Sequence, residues 1–232
     1  MRSSSVIQKL LRVSDGTTYL EIGVKTGATF FRVRVKRKIG VDPEFRIPFK
    51  TKIRHLADFV QSRRYALTSD EFFRRAAPAL FAGRKIDVAF VDGLHHWEQA
   101  LRDIENCFRY LSEDGCIVVD DCNPPAEELA VREYAGDGPW CGDVWKAIVS
   151  LRSSRNDMRI FVLDFRCGTA VITKGASEKM LGFSRDAVDR MQYRDLERAR
   201  AGLLNLKPSE YLAEFIDSYR KRRETDALRD SF

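Results

Sequence analysis

The chain has little that would tie it to a membrane, an oxidising compartment or nucleic acid. No apolar run approaches the length of a membrane span. Five cysteines, Cys107, Cys116, Cys122, Cys141 and Cys167, form an odd set with no C-x-x-C pair, and the first residues show no apolar signal region. Both observations point to the reducing cytoplasm. Cys107 and Cys116 fall in core-like periodic segments and read as small buried hydrophobes. There is no internal repeat and no low-complexity segment. The net charge is +6, but no zinc finger or aromatic-basic strand motif accompanies it. Arginine spread along helical segments reads as solvated faces, with compact clusters at Arg32 to Lys38 and Arg220 to Arg223. What the chain does have is length and apolar content: 232 residues, 44% hydrophobic, enough for one α/β domain with an appendage.

The stretch from Thr18 to Asp42 sets the frame. A short β-rich run, Thr18 to Ile22, meets glycines at Gly23 and Gly27, then a segment long enough for one helix, then a second apolar run ending in Asp42. This predicts β–loop–α–β, the opening of a nucleotide-binding sheet. The glycines let the backbone pass close under a ligand, and Asp42 stands where an acidic side chain accepts hydrogen bonds from ribose hydroxyls. Lys25 holds the place of the glycine that approaches a pyrophosphate in dinucleotide folds. A loop of the form G-x-x-x-G preceded by Glu21 better suits S-adenosylmethionine (SAM), which has a ribose but no phosphate.

Further along, Val6, Ile7, Leu10 and Leu11 are spaced for an N-terminal helix. Lys50 to Val60 and Phe72 to Phe81 read as helices, with Tyr65 to Leu67 as a strand between them. Ser69 and Asp70 then stand at the edge of a ligand crevice, in reach of an adenine or as helix caps. Ile86 to Val91 is a buried strand ending in Asp92. A helix follows with Ala100, Leu101, Ile104, Cys107 and Phe108 on one stripe, stopping near Gly115. The next strand, Cys116 to Val119, ends in Asp120 and Asp121. The loop from Cys122 to Trp140 carries three prolines and a Gly-Asp-Gly, which marks a candidate active-site lid. Asp143 is expected to cap a helix through Leu151 with its own carboxylate. Met158 to Leu163 and Gly168 to Ile172 read as a hairpin that brings one antiparallel strand to the sheet, and amphipathic helices follow from Ser177.

Three aspartates, Asp92, Asp120 and Asp121, end neighbouring strands. Adjacent strands lie just under ~5 Å apart, so these carboxylates converge and would repel without a cation. Oxygen ligands favour magnesium, manganese or calcium. His95, three residues after Asp92, is placed to act as general base toward a substrate hydroxyl.

Glu-Ile-Gly-x-x-x-Gly-x-Thr-Phe (Glu21 to Phe30), Val-Asp-Pro (Val41 to Pro43), Val-Asp-Gly-x-His-x-Trp-Glu with Asp103 (Val91 to Asp103) and Val-Asp-Asp (Val119 to Asp121) together resemble class I SAM-dependent methyltransferases. The likeness spans about residues 18–172 and is nearest to the metal-dependent O-methyltransferases of sugars, of the macrolide-sugar and mycobacterial polysaccharide kind. It implies an α/β Rossmann-like domain over residues 1–175, with a mostly parallel seven-stranded sheet, one antiparallel strand and helices on both faces. Residues 176–232 would form a C-terminal helical extension on the same domain or on a second subunit of a homo-oligomer. The resemblance further implies Glu21, Gly23, Thr26 and Gly27 around the methionine part of SAM, Asp42 on its ribose, and Ser69, Asp70 and Asp92 completing the cofactor site. Asp92, Asp120 and Asp121 would hold a divalent cation, with magnesium expected, and His95 would be the base. The implied acceptor is a small molecule or glycan. Two rival readings stand beside this one: an RNA methyltransferase gripping phosphates with basic helices, and a SAM-binding partner protein without catalysis.

Overall fold

Short β-branched runs alternating with amphipathic segments fold into one sheet covered on both faces. In the computed structural model, which describes residues 1–134, 136 and 138–229, the strands are β1 (Thr18–Ile22), β2 (Arg37–Val41), β3 (Arg63–Tyr65), β4 (Ile86–Val91), β5 (Leu111–Val119), β6 (Met158–Asp164), β7 (Thr169–Lys174) and β8 (Leu206–Pro208). Their order is β3-β2-β1-β4-β5-β7-β6-β8. All neighbouring pairs are parallel except those of β7, which runs antiparallel to both β5 and β6. The strand order reverses between β1 and β4, and a ligand crevice opens there, beyond the carboxyl ends of the strands.

The helices are α1 (Ser3–Val13), α2 (Phe49–Arg54), α3 (Leu56–Gln61), α4 (Ser69–Arg75), α5 (Ala77–Leu80), α6 (Trp97–Tyr110), α7 (Trp145–Ser154), α8 (Arg185–Arg190), α9 (Tyr193–Leu204) and α10 (Tyr211–Arg229). On one face, Val6, Ile7, Leu10 and Leu11 of α1 and Leu212 and Tyr219 of α10 pack with Tyr19, Val88, Phe90 and Val118 of the sheet. On the other, Trp97, Leu101, Ile104 and Cys107 of α6 and Trp145, Ile148 and Leu151 of α7 meet Leu20, Ile22, Ala89 and Ile117. The split follows from strand periodicity, since residues two apart share a face. Burying each large apolar side chain contributes roughly 1.5–3 kcal/mol.

Five expectations are corrected. The sheet has eight strands, not seven, because β8 adds parallel to β6. At three residues, β8 is too short to show a period. It is created by the chain turn at Asn205, whose left-handed backbone (φ 48°) ends α9. Between β1 and β2 there is no α-helix, only a 3₁₀ turn at Phe30–Arg32. Phe31 and Val33 are buried and Val35 half-buried, while Arg32, Arg34 and Lys36 are exposed, a two-residue alternation that suits extended backbone rather than a helix.

The expected helix over Lys50 to Val60 breaks at His55, whose backbone (φ −117°, ψ 34°) is not helical. Likewise Phe72 to Phe81 divides into α4 and α5, with Pro78 in the first turn of α5. The strand before Asp120 begins at Leu111 rather than Cys116, and α6 correspondingly stops at Tyr110. Ala135 and Asp137 of the Cys122–Trp140 loop, and residues 230–232 of the tail, lie outside the described residues.

The tail packs back onto the sheet. Arg152 of α7 is buried and donates to the carbonyls of Gly202 (2.5 Å) and Leu203 (2.6 Å) at the end of α9. Asn205 donates to Ile160 O at 2.9 Å. The two Arg152 bonds satisfy carbonyls that a helix end leaves open.

Candidate active site

A crevice of about 580 Å³ opens at the ends of β1, β2 and β4, lined in part by Gly23, Asp42, Ser69, Asp70, Asp92 and Asp103. Its size falls within the range of small-molecule sites, about 300–1,000 Å³. Gly23 is required here. Its φ is +88°, and a Cβ on it would lie 1.9 Å from the carbonyl oxygen of Asp92. The bonds Gly23 N–H to Val41 O and Asp92 N–H to Ile22 O, both 2.9 Å, pin the three strand ends together.

Asp42 uses both carboxylate oxygens at 2.7 Å, accepting from the N–H of Lys25 and the N–H of Glu44. Opposite it, the amide nitrogen of Gln99 reaches Ser69 Oγ (3.1 Å), Asp70 Oδ1 (3.2 Å) and Asp103 Oδ1 (3.0 Å). Asp103 is buried, and that burial lifts its pKa to about 6. The cap of α4 is Thr68, in a reciprocal capping box with Glu71. Ser69 and Asp70 are therefore spared the capping role and line the crevice.

Three other residues expected around the cofactor do not line the crevice. Glu21 points to the α1 face, buried, and accepts a hydrogen bond from the Tyr19 hydroxyl at 2.5 Å. Burial raises its pKa well above the usual carboxylate range. The reason is the pleat: on β1, Glu21 shares a face with Tyr19, while Ile22 takes the other. Thr26 is exposed. Gly27 closes a turn, donating to Val24 O at 2.7 Å, with φ +78°.

Next to the crevice lies a compact ionisable cluster. The Nε2 atom of His95 is 3.4 Å from Asp92 Oδ1 and 3.3 Å from Asp121 Oδ2. Its Nδ1 lies 2.9 Å from the carbonyl oxygen of Trp140, and its ring stacks on that indole at 4.9 Å. A carbonyl can only accept, so Nδ1 carries hydrogen and Nε2 is the free base of the neutral ring. Burial on its own would lower the His95 pKa. The Asp92 hydrogen bond and the charges of Asp121 and Asp92 outweigh it, and the net direction is upward. For Asp121, burial dominates and lifts the pKa to about 8, with His95 opposing and Asp120 and Asp92 adding.

The expected aspartate triad is not what gathers. Asp92, His95 and Asp121 bring donor atoms within 4.8 Å of one another. Asp120 turns away: its Oδ2 accepts from the Ser3 hydroxyl (2.8 Å) and its Oδ1 from the Thr169 hydroxyl (2.9 Å). Consecutive side chains at a strand end point to opposite sides, so only one member of an Asp-Asp pair can face the cluster. Asp121 does so with a left-handed backbone, φ +60°. The donor set is therefore two carboxylates and one imidazole, which accommodates a divalent cation without the oxygen-only character expected from the triad.

The expected cap of α7 also differs. The Asp143 carboxylate instead accepts from Trp97 N–H at 2.8 Å, capping α6 just after His95. Arg132 bridges Asp143 (3.1 Å) and Glu98 (3.0 Å), tying the segment after β5 to this helix start. A cleft of about 400 Å³ beside it is lined by polar groups including Glu98, Arg132, Asp143, Lys146 and Gln192. Sequence reasoning missed Gln99, Trp140, Cys141 and Cys167. Gln99 sits one turn before Asp103 on the buried side of α6, a spacing visible in the sequence; the partners of the other three come only with the folding of the loops.

Residues 20–122 match the profile of a family described as a methyltransferase domain. No curated protein matches the chain. Solved structures share the fold. An O-methyltransferase from Bacillus cereus in complex with SAH aligns with TM-score 0.54 and 11% identity, over 75% of this chain and 80% of that one. TomG, an O-methyltransferase from Streptomyces achromogenes involved in tomaymycin synthesis and bound to SAM, aligns with TM-score 0.53 and 14% identity over 75% and 79%. A calicheamicin methyltransferase aligns with TM-score 0.50 and 14% identity over 75% and 77%. The fold is that of the class I SAM-dependent methyltransferases.

Proposed function

We propose that this chain, with a methyltransferase domain profile over residues 20–122 on a class I methyltransferase fold, is an O-methyltransferase that moves the methyl group of SAM to a hydroxyl of a sugar or glycosylated small molecule. One observation carries the reading: Asp92 belongs both to the crevice and to the His95 cluster. A donor in the crevice would therefore meet an acceptor activated by His95 on the other side of one carboxylate.

In this reading Asp42 lies at the ribose, Ser69 and Asp70 near the adenine, and Gly23 where the backbone must come close to the donor. The acceptor hydroxyl gives its proton to Nε2 of His95. Its oxygen attacks the sulfonium methyl, and the carbon–sulfur bond breaks to leave a neutral thioether. Asp92 and Asp121 stabilise the imidazolium that forms, and the Trp140 carbonyl keeps the ring in the reactive tautomer. The main contribution is positioning, since the sulfonium already activates the methyl group. Asp92 and Asp121 would hold a divalent cation, leaving His95 free as the base, and when bound that cation would lower the pKa of a coordinated hydroxyl. The polar cleft beside Arg132 and Asp143 suits a hydroxyl-rich acceptor. Among the described residues no helix is long and apolar enough to cross a membrane. All five cysteines are unpaired, which fits the cytoplasm.

The test is SAM calorimetry together with SAH formation on a panel of glycosides, for the wild type and His95→Ala. Retained SAM affinity with turnover reduced in the variant supports the reading. Equal turnover would remove His95 as the base, and no SAM heat from the wild type would remove the proposal.

A further inference from the structure

Beyond the His95 cluster, Asp121 faces two thiols. The donor atoms of Asp121, Cys141 and Cys167 lie within 4.8 Å of one another. We infer that Cys141, Cys167 and Asp121 form a binding site for a thiophilic divalent cation, zinc foremost. The inference goes beyond methyl transfer and does not depend on it.

Three features build this site. The first is convergence: the ligands come from the segment after β5, the approach to α7 and the β6–β7 hairpin, far apart along the chain. Backbone bonds fix each of them. Asn123 N–H donates to Cys167 O (2.6 Å), Cys122 N–H to Gly168 O (3.0 Å), and Cys141 N–H to Leu129 O (2.9 Å).

The second is that a glycine follows each cysteine where no other residue fits. A Cβ on Gly142 (φ +61°) would lie 2.0 Å from His95 O, and one on Gly168 (φ +76°) 2.2 Å from the Cβ of Asn123. These contacts press both cysteine loops against the neighbours of Asp121. The third is Asp121 itself, a non-glycine residue held at φ +60°. Such a backbone is strained for a residue with a side chain, and it aims the carboxylate between the imidazole and the thiols.

The chemistry selects the metal. Zinc binds thiolate sulfur at about 2.3 Å in a tetrahedron, which sets two sulfurs roughly 3.8 Å apart. Groups already within 4.8 Å reach that spacing by small side-chain rotations. Two sulfurs and a carboxylate favour zinc, cadmium or cobalt(II) over magnesium. Both thiols bind as thiolates, so uptake of the ion releases protons. Three protein ligands leave the fourth position open. In its protonated form His95, with Nε2 3.3 Å from Asp121 Oδ2, would orient that carboxylate.

The experiment uses the full chain, stripped of metal and kept under anaerobic reducing conditions. Cobalt(II) titration should give a thiolate charge-transfer band saturating at one ion per chain, and zinc should displace it while a large excess of magnesium does not. Cys141→Ser and Cys167→Ser should each weaken zinc binding at least tenfold, whereas Cys107→Ser, buried elsewhere, should leave it unchanged. A second readout needs no variant: zinc should protect Cys141 and Cys167 of the wild-type protein from alkylation, as mapped by mass spectrometry. Displacement by magnesium, undiminished zinc binding in the Cys141→Ser/Cys167→Ser double variant, absence of protection, or a Cys141–Cys167 disulfide formed in place of metal uptake would each overturn the assignment.

Discussion

Asp103 offers a quantitative test of how the crevice wall is built. Its carboxyl is buried on α6, and burial lifts its pKa from 3.8 to about 6. The folded state thus binds this proton more tightly than the unfolded chain does. Below pH 3.8 that preference contributes fully to stability, and it is lost as pH rises through 6. At about 1.4 kcal/mol per pH unit between the two pKa values, the loss amounts to about 3 kcal/mol. Asp103→Asn keeps an oxygen to accept from Gln99 but carries no charge. Relative to wild type it should therefore gain stability between pH 4 and 8, by up to about 3 kcal/mol. For a chain of this size each kcal/mol moves Tm by roughly 2–4 °C. Urea melts of both proteins without SAM, across that pH range, measure the difference directly. A wild-type-minus-variant stability that stays constant with pH would refute the claim that Asp103 is buried against its charge.

Replacing His95 by Ala should lower turnover by about 10²–10⁴-fold, the usual contribution of a general base, while calorimetry shows SAM affinity within a few-fold of wild type. Gly23→Ala places a Cβ 1.9 Å from Asp92 O on a positive-φ backbone, so it should cost about 3 kcal/mol or more in chemical denaturation and abolish SAM binding. Thr68→Ala removes the capping box of α4; it should cost about 1 kcal/mol by urea melt while leaving SAH formation unchanged. Ser3→Ala removes the hydroxyl that engages Asp120 Oδ2 and should leave turnover near wild type, because Asp120 stands outside the cluster; a collapse in turnover would place Asp120 in the machinery after all.

The order of strands and helices was legible in the residues because each depends on a local period. Ile86–Val91 is an apolar run interrupted only by Asp87, and its observed bounds match the expected ones. The stripe Ala100, Leu101, Ile104 and Cys107 repeats at helical spacing and is buried as α6. Where the local signal was weak or double, the reading failed. The segment between Gly27 and Lys38 is long enough for a helix, yet Phe31 to Lys36 alternates in and out, as extended chain does. The crevice residues Gly23, Asp42, Ser69, Asp70 and Asp92 could be placed because strand ends in such sheets face one side.

Sequence alone determined that aspartates would stand at the ends of β4 and β5 with a histidine close by. It could not determine which carboxylates would meet, because that depends on side-chain direction at a strand end and on distant hydroxyls. Ser3, more than a hundred residues away, and Thr169 claim Asp120, while a left-handed turn delivers Asp121 to His95, Cys141 and Cys167. Period is a property of neighbours in the chain, and convergence is a property of loops closing on one another. Only the folded chain could decide the second.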